Sequence, residues 1–296
     1  MIPIDLSGKV ALVTGVGDNE SFAWFISKAL QAAGARILLA VHPRMANIVQ
    51  NILENKSADD TAARVLPFNT GTFKPEAIIP CDVGYDTMDD VPAAIREDRR
   101  YTRLNCDYSI RGMIEAVKKL TSTIDVLIHS VAFSAEIKNK AIDTSRAGYL
   151  NAISISAYSL TALTRFALPL MENRPDGAAV LGLTYLGGER VVPHYGGGMS
   201  TAKAALEIDA KQLAHNVGAK KIRVNLISAG PYASRAAKGI GNIQEMIDYA
   251  AERSPLPRGV TPEEVAHAAV FLCSPLASAI TGEVMFVDCG RNVVGV

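Results

Sequence analysis

Tyr185, Tyr195 and Lys203 lie close together in one stretch of chain, with ten positions from the first tyrosine to the second and eight more to the lysine. A phenol near a permanently charged ammonium can donate a proton or a hydrogen bond to an oxygen that is acquiring negative charge, because the cation favours the phenolate. The competing reading is purely structural: two half-buried tyrosines and an exposed lysine on a helix. Spacing alone leaves both open.

A second set of residues could hold a dinucleotide. Val10 to Thr14 is a short apolar run that ends in Gly15-Val16-Gly17, after which Ser21 to Ala33 carries apolar residues at helical spacing and stops at Gly34. A chain leaving a strand there must turn sharply into a helix, whose free N–H groups suit a pyrophosphate. The full G-x-G-x-x-G is absent, since Glu20 and Ser21 occupy the positions where a third glycine could stand, so a structural turn competes with this reading. Strand ends in such folds face the ligand, which nominates Val41-His42, Asp82-Val83 and His129-Ser130-Val131. Asp82 could accept a hydrogen bond from an adenine amino group or cap a turn, and His129 could be a functional group or a satisfied core histidine. No acid stands between Ile37 and Arg44 to meet a ribose 2′-hydroxyl, whereas Arg44 could meet a 2′-phosphate. The choice between NADH and NADPH is therefore open on these residues.

The elements that must position these groups alternate. Strands are expected at Val10 to Thr14, Ile37 to Val41, Ala77 to Pro80, Asp125 to His129, Ala178 to Tyr185, Arg223 to Ile227 and Val284 to Val287, with helices near 150–172, 198–218 and 262–273 between the later ones. This order predicts an α/β fold: a single doubly wound Rossmann-type domain over residues 1–296, with a parallel seven-stranded sheet and helices on both faces. Two intervals depart from tight packing of successive units, 43–76 and 84–108, the latter with the charged run Glu97-Asp98-Arg99-Arg100. Both read as insertions, the first with a helix at Ala46 to Leu53. No Pro/Gly/Ser-rich linker divides the chain, and the last strand must rejoin the sheet to bury its apolar residues.

Composition excludes several classes. Thirty basic and thirty acidic residues cancel, so no long-range field recruits nucleic acid or an anionic membrane. The longest uncharged stretch, Ala147 to Thr164, carries too many hydroxyls and amides for a bilayer span, and the N-terminus lacks a secretory signal, which points to the cytoplasm of a bacterium or an organelle matrix after processing. Cys81, Cys106, Cys273 and Cys289 have neither disulfide nor metal-ligand spacing, so no metal is expected.

The pattern Tyr185-x9-Tyr195-x7-Lys203 resembles the active-site signature of enoyl-acyl-carrier-protein reductases within the short-chain dehydrogenase/reductase superfamily. The eight-residue step from Tyr195 to Lys203, with Gly196-Gly197-Gly198 inside it, is similar to the plastid-type branch. Gly15-x5-Ser21, His129-Ser130-Val131-Ala132, Ile227-Ser-Ala-Gly-Pro231, Ser274 to Gly282 and Val287-Asp288 extend the resemblance over essentially the whole chain. It differs from that branch at His42, where a tryptophan is usual, and at Phe133-Ser134. A 3-ketoacyl (carbonyl) reductase of the same superfamily would need a tyrosine where Met199 stands and a serine where Gly182 stands. The non-enzymatic alternative is a dinucleotide-sensing protein that kept the fold without the chemistry.

The resemblance implies NADH-dependent reduction of the trans-2 double bond of enoyl-acyl-carrier-protein thioesters in type II fatty acid biosynthesis, NADPH being less favoured. It implies Tyr195 as donor to the thioester oxygen, Lys203 as ribose contact and cation, and Tyr185 in a supporting role, with Ser134, Tyr185 and Tyr195 facing substrate. It assigns cofactor contacts to Gly15, Ser21, Phe22, Asp82, Val83, Val131, Lys203, Tyr232, Ala233, Ser234, Arg235 and Ala236. The segment from Tyr232 to Tyr249, with Ala237, Ile240, Ile243 and Met246, is expected to be a mobile substrate lid, centred on 232–249. Acyl carrier protein is the implied partner and a homotetramer the implied assembly, located in bacterial cytoplasm or, for a processed form, the plastid stroma. The apolar helix carrying Ile153, Ile155, Tyr158, Leu160 and Leu163 could be an interface or lie inside.

Overall fold

A computed structural model describes residues 4–238 and 242–295. The apolar runs form seven strands: β1 (Val10–Thr14), β2 (Arg36–Val41), β3 (Ala77–Pro80), β4 (Val126–His129), β5 (Ala178–Thr184), β6 (Ile222–Ala229) and β7 (Val284–Val287). They make one all-parallel sheet in the order β3-β2-β1-β4-β5-β6-β7. The strands of its centre are buried on both faces, which is why they read as continuous apolar runs rather than as alternating ones. The strand β6 extends past the expected Ile227, because pairing with β7 continues to Ala229 opposite Val287.

The main helices are α1 (Phe22–Ala32), α2 (Ala46–Glu54), α3 (Ile110–Lys118), α4 (Arg146–Ile153), α5 (Ser159–Met171), α6 (Met199–Val217), α7 (Ile243–Arg253) and α8 (Pro262–Cys273). Side chains alternate across each strand, so Val13 joins Trp24 and Val265 in a core under α1 and α8, while Leu12 joins Met113, Leu163 and Leu206 under α3, α5 and α6. Leu160 and Leu163, weighed above as interface residues, are fully buried in this second core. Only Tyr158 of that set is exposed, and its hydroxyl donates to Asp86.

The sheet order reverses between β1 and β4, which opens a crevice at their carboxyl ends. Both insertions turn back onto the sheet. Trp24 of α1 donates from its indole N–H to the Ala63 carbonyl at 3.2 Å and meets the edge of Phe73, fastening the 43–76 insertion. Val91, Tyr101 and Tyr108 form a small separate core in the 84–108 insertion, and the Tyr108 carbonyl accepts from the Asp82 N–H at 2.7 Å. The interval between α4 and α5 is a π-turn, Ser154–Tyr158, that aims Ser156 at the loop after β4: its hydroxyl accepts from the Phe133 N–H at 2.9 Å and donates to the Phe133 carbonyl.

Candidate active site

The crevice begins at Gly15. Its φ of +85° is left-handed, and an added Cβ would lie 1.9 Å from the Ser130 carbonyl oxygen. Only glycine lets β1 and β4 end this close together. Ser21 caps α1 by accepting from the Trp24 N–H at 3.3 Å, and with Phe22 it lines the crevice, so the helix N-terminus lies at its edge. A cleft of about 330 Å³ opens from there, lined by Gly15, Ser21, Phe22, Val131 and Ser134 and, on its far side, by Tyr185, Tyr195, Lys203, Tyr232 and Ser234. The residues singled out from sequence at positions far apart thus meet around one space.

Lys203 projects from the first turns of α6 and is 4% exposed. Its ammonium donates to the Leu183 carbonyl at 2.8 Å, the one protein hydrogen bond it makes among the described residues. Two of its three N–H donors remain for a ligand. Burial pulls its pKa down to about 8, against the opposing charge of Glu207. That carboxylate, one turn along α6, accepts the Thr184 hydroxyl at 2.6 Å and so ties the lysine's helix to the end of β5.

Tyr185 and Tyr195 pack edge to face with ring centres 5.0 Å apart. Burial, and then the neighbouring Tyr185, pushes the Tyr195 phenol well above its ordinary range; burial raises Tyr185 to about 12, with Arg291 opposing. Burial thus keeps Tyr195 a neutral O–H donor at neutral pH. Tyr185 also borders a second cavity of about 510 Å³, between the 190–194 turn and α7, and so stands where the two spaces join.

The glycines between Tyr195 and Lys203 are required by contact. Gly197 has φ +58°, and a Cβ there would lie 2.3 Å from the Glu136 backbone. Ser134 donates to the Gly197 carbonyl at 2.7 Å, so this cleft residue also braces the tyrosine loop. His129 lies completely buried beneath. Ser159 donates its proton to the Ile155 carbonyl, leaving its oxygen to accept from His129 Nε2 at 2.7 Å, while Nδ1 has no partner among the described residues. Burial, and then Lys203, lowers the His129 pKa to about 3, so it is a neutral core histidine.

Asp82 and Val83 stand apart from this cleft, at the end of β3. Asp82 accepts the Tyr101 hydroxyl at 2.8 Å and the Gly84 N–H at 3.0 Å, with His42 Nε2 at 3.4 Å. Burial raises its pKa, but His42, Tyr101 and Gly84 together outweigh burial and hold the carboxyl below its ordinary value. Val83 packs into the second core. Beyond Pro231, Tyr232 packs on Phe22 with ring centres 5.2 Å apart. Arg235 pairs with buried Asp18 at 2.9 Å, and Lys238 with Glu20 at 2.8 Å. Ala233 and Arg235 do not line the cleft, and Ala236 is described as helical backbone only. Ile240 lies outside the described residues.

Asp18, Tyr101, Thr184 and Glu207 escaped the sequence reading. Glu207 could have been found, since residues four apart share a helix face. Tyr101 could not, because its contacts with Asp82 and His42 span the insertion.

Residues 74–292 match the family model described as enoyl-(acyl carrier protein) reductase. The chain is 44% identical over 295 residues to enoyl-[acyl-carrier-protein] reductase [NADH] 2, chloroplastic, of Oryza sativa subsp. japonica, covering 99% of this chain and 78% of the relative. It is also 44% identical to the chloroplastic NADH enzyme of Arabidopsis thaliana, over 100% of this chain and 74% of that one. The crystal structure of Plasmodium berghei enoyl-acyl-carrier-protein reductase with triclosan superposes with a TM-score of 0.89 at 36% identity, covering 97% of this chain and 98% of that one. With the glycine turn, the two tyrosines and the buried lysine gathered on one cleft of this fold, the chain belongs to the enoyl-acyl-carrier-protein reductase family.

Proposed function

We propose that this chain reduces the trans-2 double bond of enoyl thioesters carried on acyl carrier protein, using NADH, in the elongation cycle of type II fatty acid biosynthesis. The observation that carries this reading is the convergence of Gly15, Tyr195 and Lys203 on one cleft. The residues fit a nicotinamide dinucleotide: the Gly15 close approach and the capped α1 N-terminus leave N–H groups for a pyrophosphate, and the buried Lys203 ammonium has two donors to spare for ribose hydroxyls. Bound NADH supplies the hydride that reduces C3 of the enoyl thioester. The charge displaced by that step gathers on the thioester oxygen, and Tyr195 is placed to stabilise it by donating a hydrogen bond from a phenol kept protonated by burial. Lys203 holds positive charge near both groups, and Tyr185 shapes the passage between the two cavities.

Ketone reduction is disfavoured on geometry. Met199 is buried at the start of α6 where that reaction needs a tyrosine, and a Cβ at Gly182, where it needs a serine, would lie 2.6 Å from the Leu226 side chain, which would have to shift. Oxidation of NADH monitored with a crotonyl thioester and, separately, a 3-ketoacyl thioester decides: consumption with the ketone alone would replace this reading, and turnover of neither would favour the sensor.

We further propose one catalytic domain in which 232–249 acts as a lid, hinged after Pro231 and held to the cofactor loop through Asp18 and Glu20. Amide exchange in this segment should slow when cofactor and substrate analogue are both bound; equal protection with and without ligands would refute the lid. The proposed assembly is a homotetramer, supported by exposed Tyr149, Leu150 and Ile208 on α4 and α6. No helix among the described residues is long and apolar enough to cross a membrane, and the proposed location is a bacterial cytoplasm or a plastid stroma.

Glu207→Gln keeps an acceptor for Thr184 but removes the charge that supports the Lys203 ammonium. The pH at which NADH affinity falls should therefore move to lower values, while Thr184→Val, which leaves the carboxylate, should move it less. An unchanged pH profile in Glu207→Gln would limit Glu207 to a structural role.

A further inference from the structure

The charged run in the second insertion is not used by the mechanism above, yet it lies against the end of β2, where a dinucleotide's adenosine ribose falls in doubly wound folds. The chain places no acid directly after β2; it places Arg44, a residue suited to a phosphate. The structure shows where that cation is engaged. Arg44 Nη2 lies 3.7 Å from Asp98 Oδ2, and its guanidinium lies over the Tyr101 ring at 5.7 Å. Asp98 is 17% exposed and is fixed from its own side by the Arg100 N–H at 2.9 Å and the Arg100 guanidinium at 2.7 Å. Tyr101, in the same short turn, is anchored to Asp82 at the end of β3. The insertion therefore carries a carboxylate across the strand ends to the place where β2 itself provides none.

Resting on the proposed use of a nicotinamide dinucleotide, we propose that Asp98 is a specificity-determining residue, which occupies Arg44 and repels a 2′-phosphate, so that the site selects NADH over NADPH. A 2′-phosphate entering beside Arg44 would have to displace Asp98 and then sit next to it. Like charges at that distance oppose binding even at a partly solvated site, and the phosphate would have to compete with Asp98 for the Arg44 guanidinium. Arg100, the other cation nearby, is already committed to Asp98, and the His42 ring faces Asp82.

The test is equilibrium binding by calorimetry of 5′-ADP and 2′,5′-ADP, alongside NADH and NADPH, to the wild type, Asp98→Asn, Arg44→Ala and the double variant. Asparagine keeps the capping acceptor of the Arg99–Thr102 turn, so the insertion stays folded. The expected result is that Asp98→Asn shifts the ratio of the two Kd values toward the 2′-phosphate by about tenfold, roughly 1.4 kcal/mol. The double variant should lose that gain, because the freed guanidinium is what binds the phosphate. An unchanged ratio in Asp98→Asn, or a gain that survives removal of Arg44, overturns the proposal. Failure of the wild type to bind 5′-ADP or NADH at all would instead overturn the dinucleotide reading, and this inference with it.

Discussion

Lys203→Ala should reduce kcat/KM by about three decades and weaken NADH binding about tenfold or more, because one buried cation serves both cofactor and reacting oxygen. Among the described residues its ammonium leaves two donors unused, and no other cation lines the 330 Å³ cleft to replace it. The sign of the pH dependence follows from burial, which lowers the Lys203 pKa to about 8. Cofactor affinity should be full below that pH and fall as pH rises through it, and NADH, by favouring the charged form, should move the midpoint upward in the complex. Stability has the opposite sign. A base whose pKa is lowered on folding destabilises the folded state while it is charged, and the cost disappears as pH rises from about 8 to the unfolded value near 10.5. Lys203→Met should therefore melt higher than the wild type at pH 7 while being inactive. Fluorescence titration with NADH from pH 6 to 10, together with thermal melts of the variant, checks both signs. Cofactor affinity that stays flat across pH 8 would show that the ammonium is not the contact.

Tyr195→Phe keeps the ring packed against Tyr185 and removes only the hydroxyl. It should lower kcat by about one to three decades, the range for deleting one donor to a developing oxyanion, with NADH affinity nearly unchanged. Because burial holds the Tyr195 phenol well above its usual range, its ionisation does not limit activity between pH 7 and 9. The alkaline fall near pH 8 should persist in Tyr195→Phe, since it belongs to Lys203. Tyr185→Phe should cost less, for its ring faces the passage between the two cavities and its packing survives. Full activity of Tyr195→Phe beside an inactive Tyr185→Phe would transfer the donor role to the other tyrosine.

All seven strands of the sheet were legible in the sequence to within a residue or two, because each is an apolar run bounded by turns, uninterrupted where the central strands are buried on both faces. The glycine turn and the tyrosine and lysine spacing were legible for the same local reason. Each is a constraint on a few consecutive residues.

What the tertiary structure alone decided are the relations between segments far apart in the chain. Burial pushed the Tyr195 phenol upward, and desolvation depends on everything packed around the ring rather than on its neighbours in sequence. Contact between β4 and α5 made His129 a neutral core residue bonded to Ser159. The 84–108 insertion read as decoration, yet its fold carries Tyr101 to Asp82 and Asp98 to Arg44. Sequence periodicity records which face of an element is apolar, but a charge pair between an insertion and a strand end has no period, and only the folded chain brings the two together.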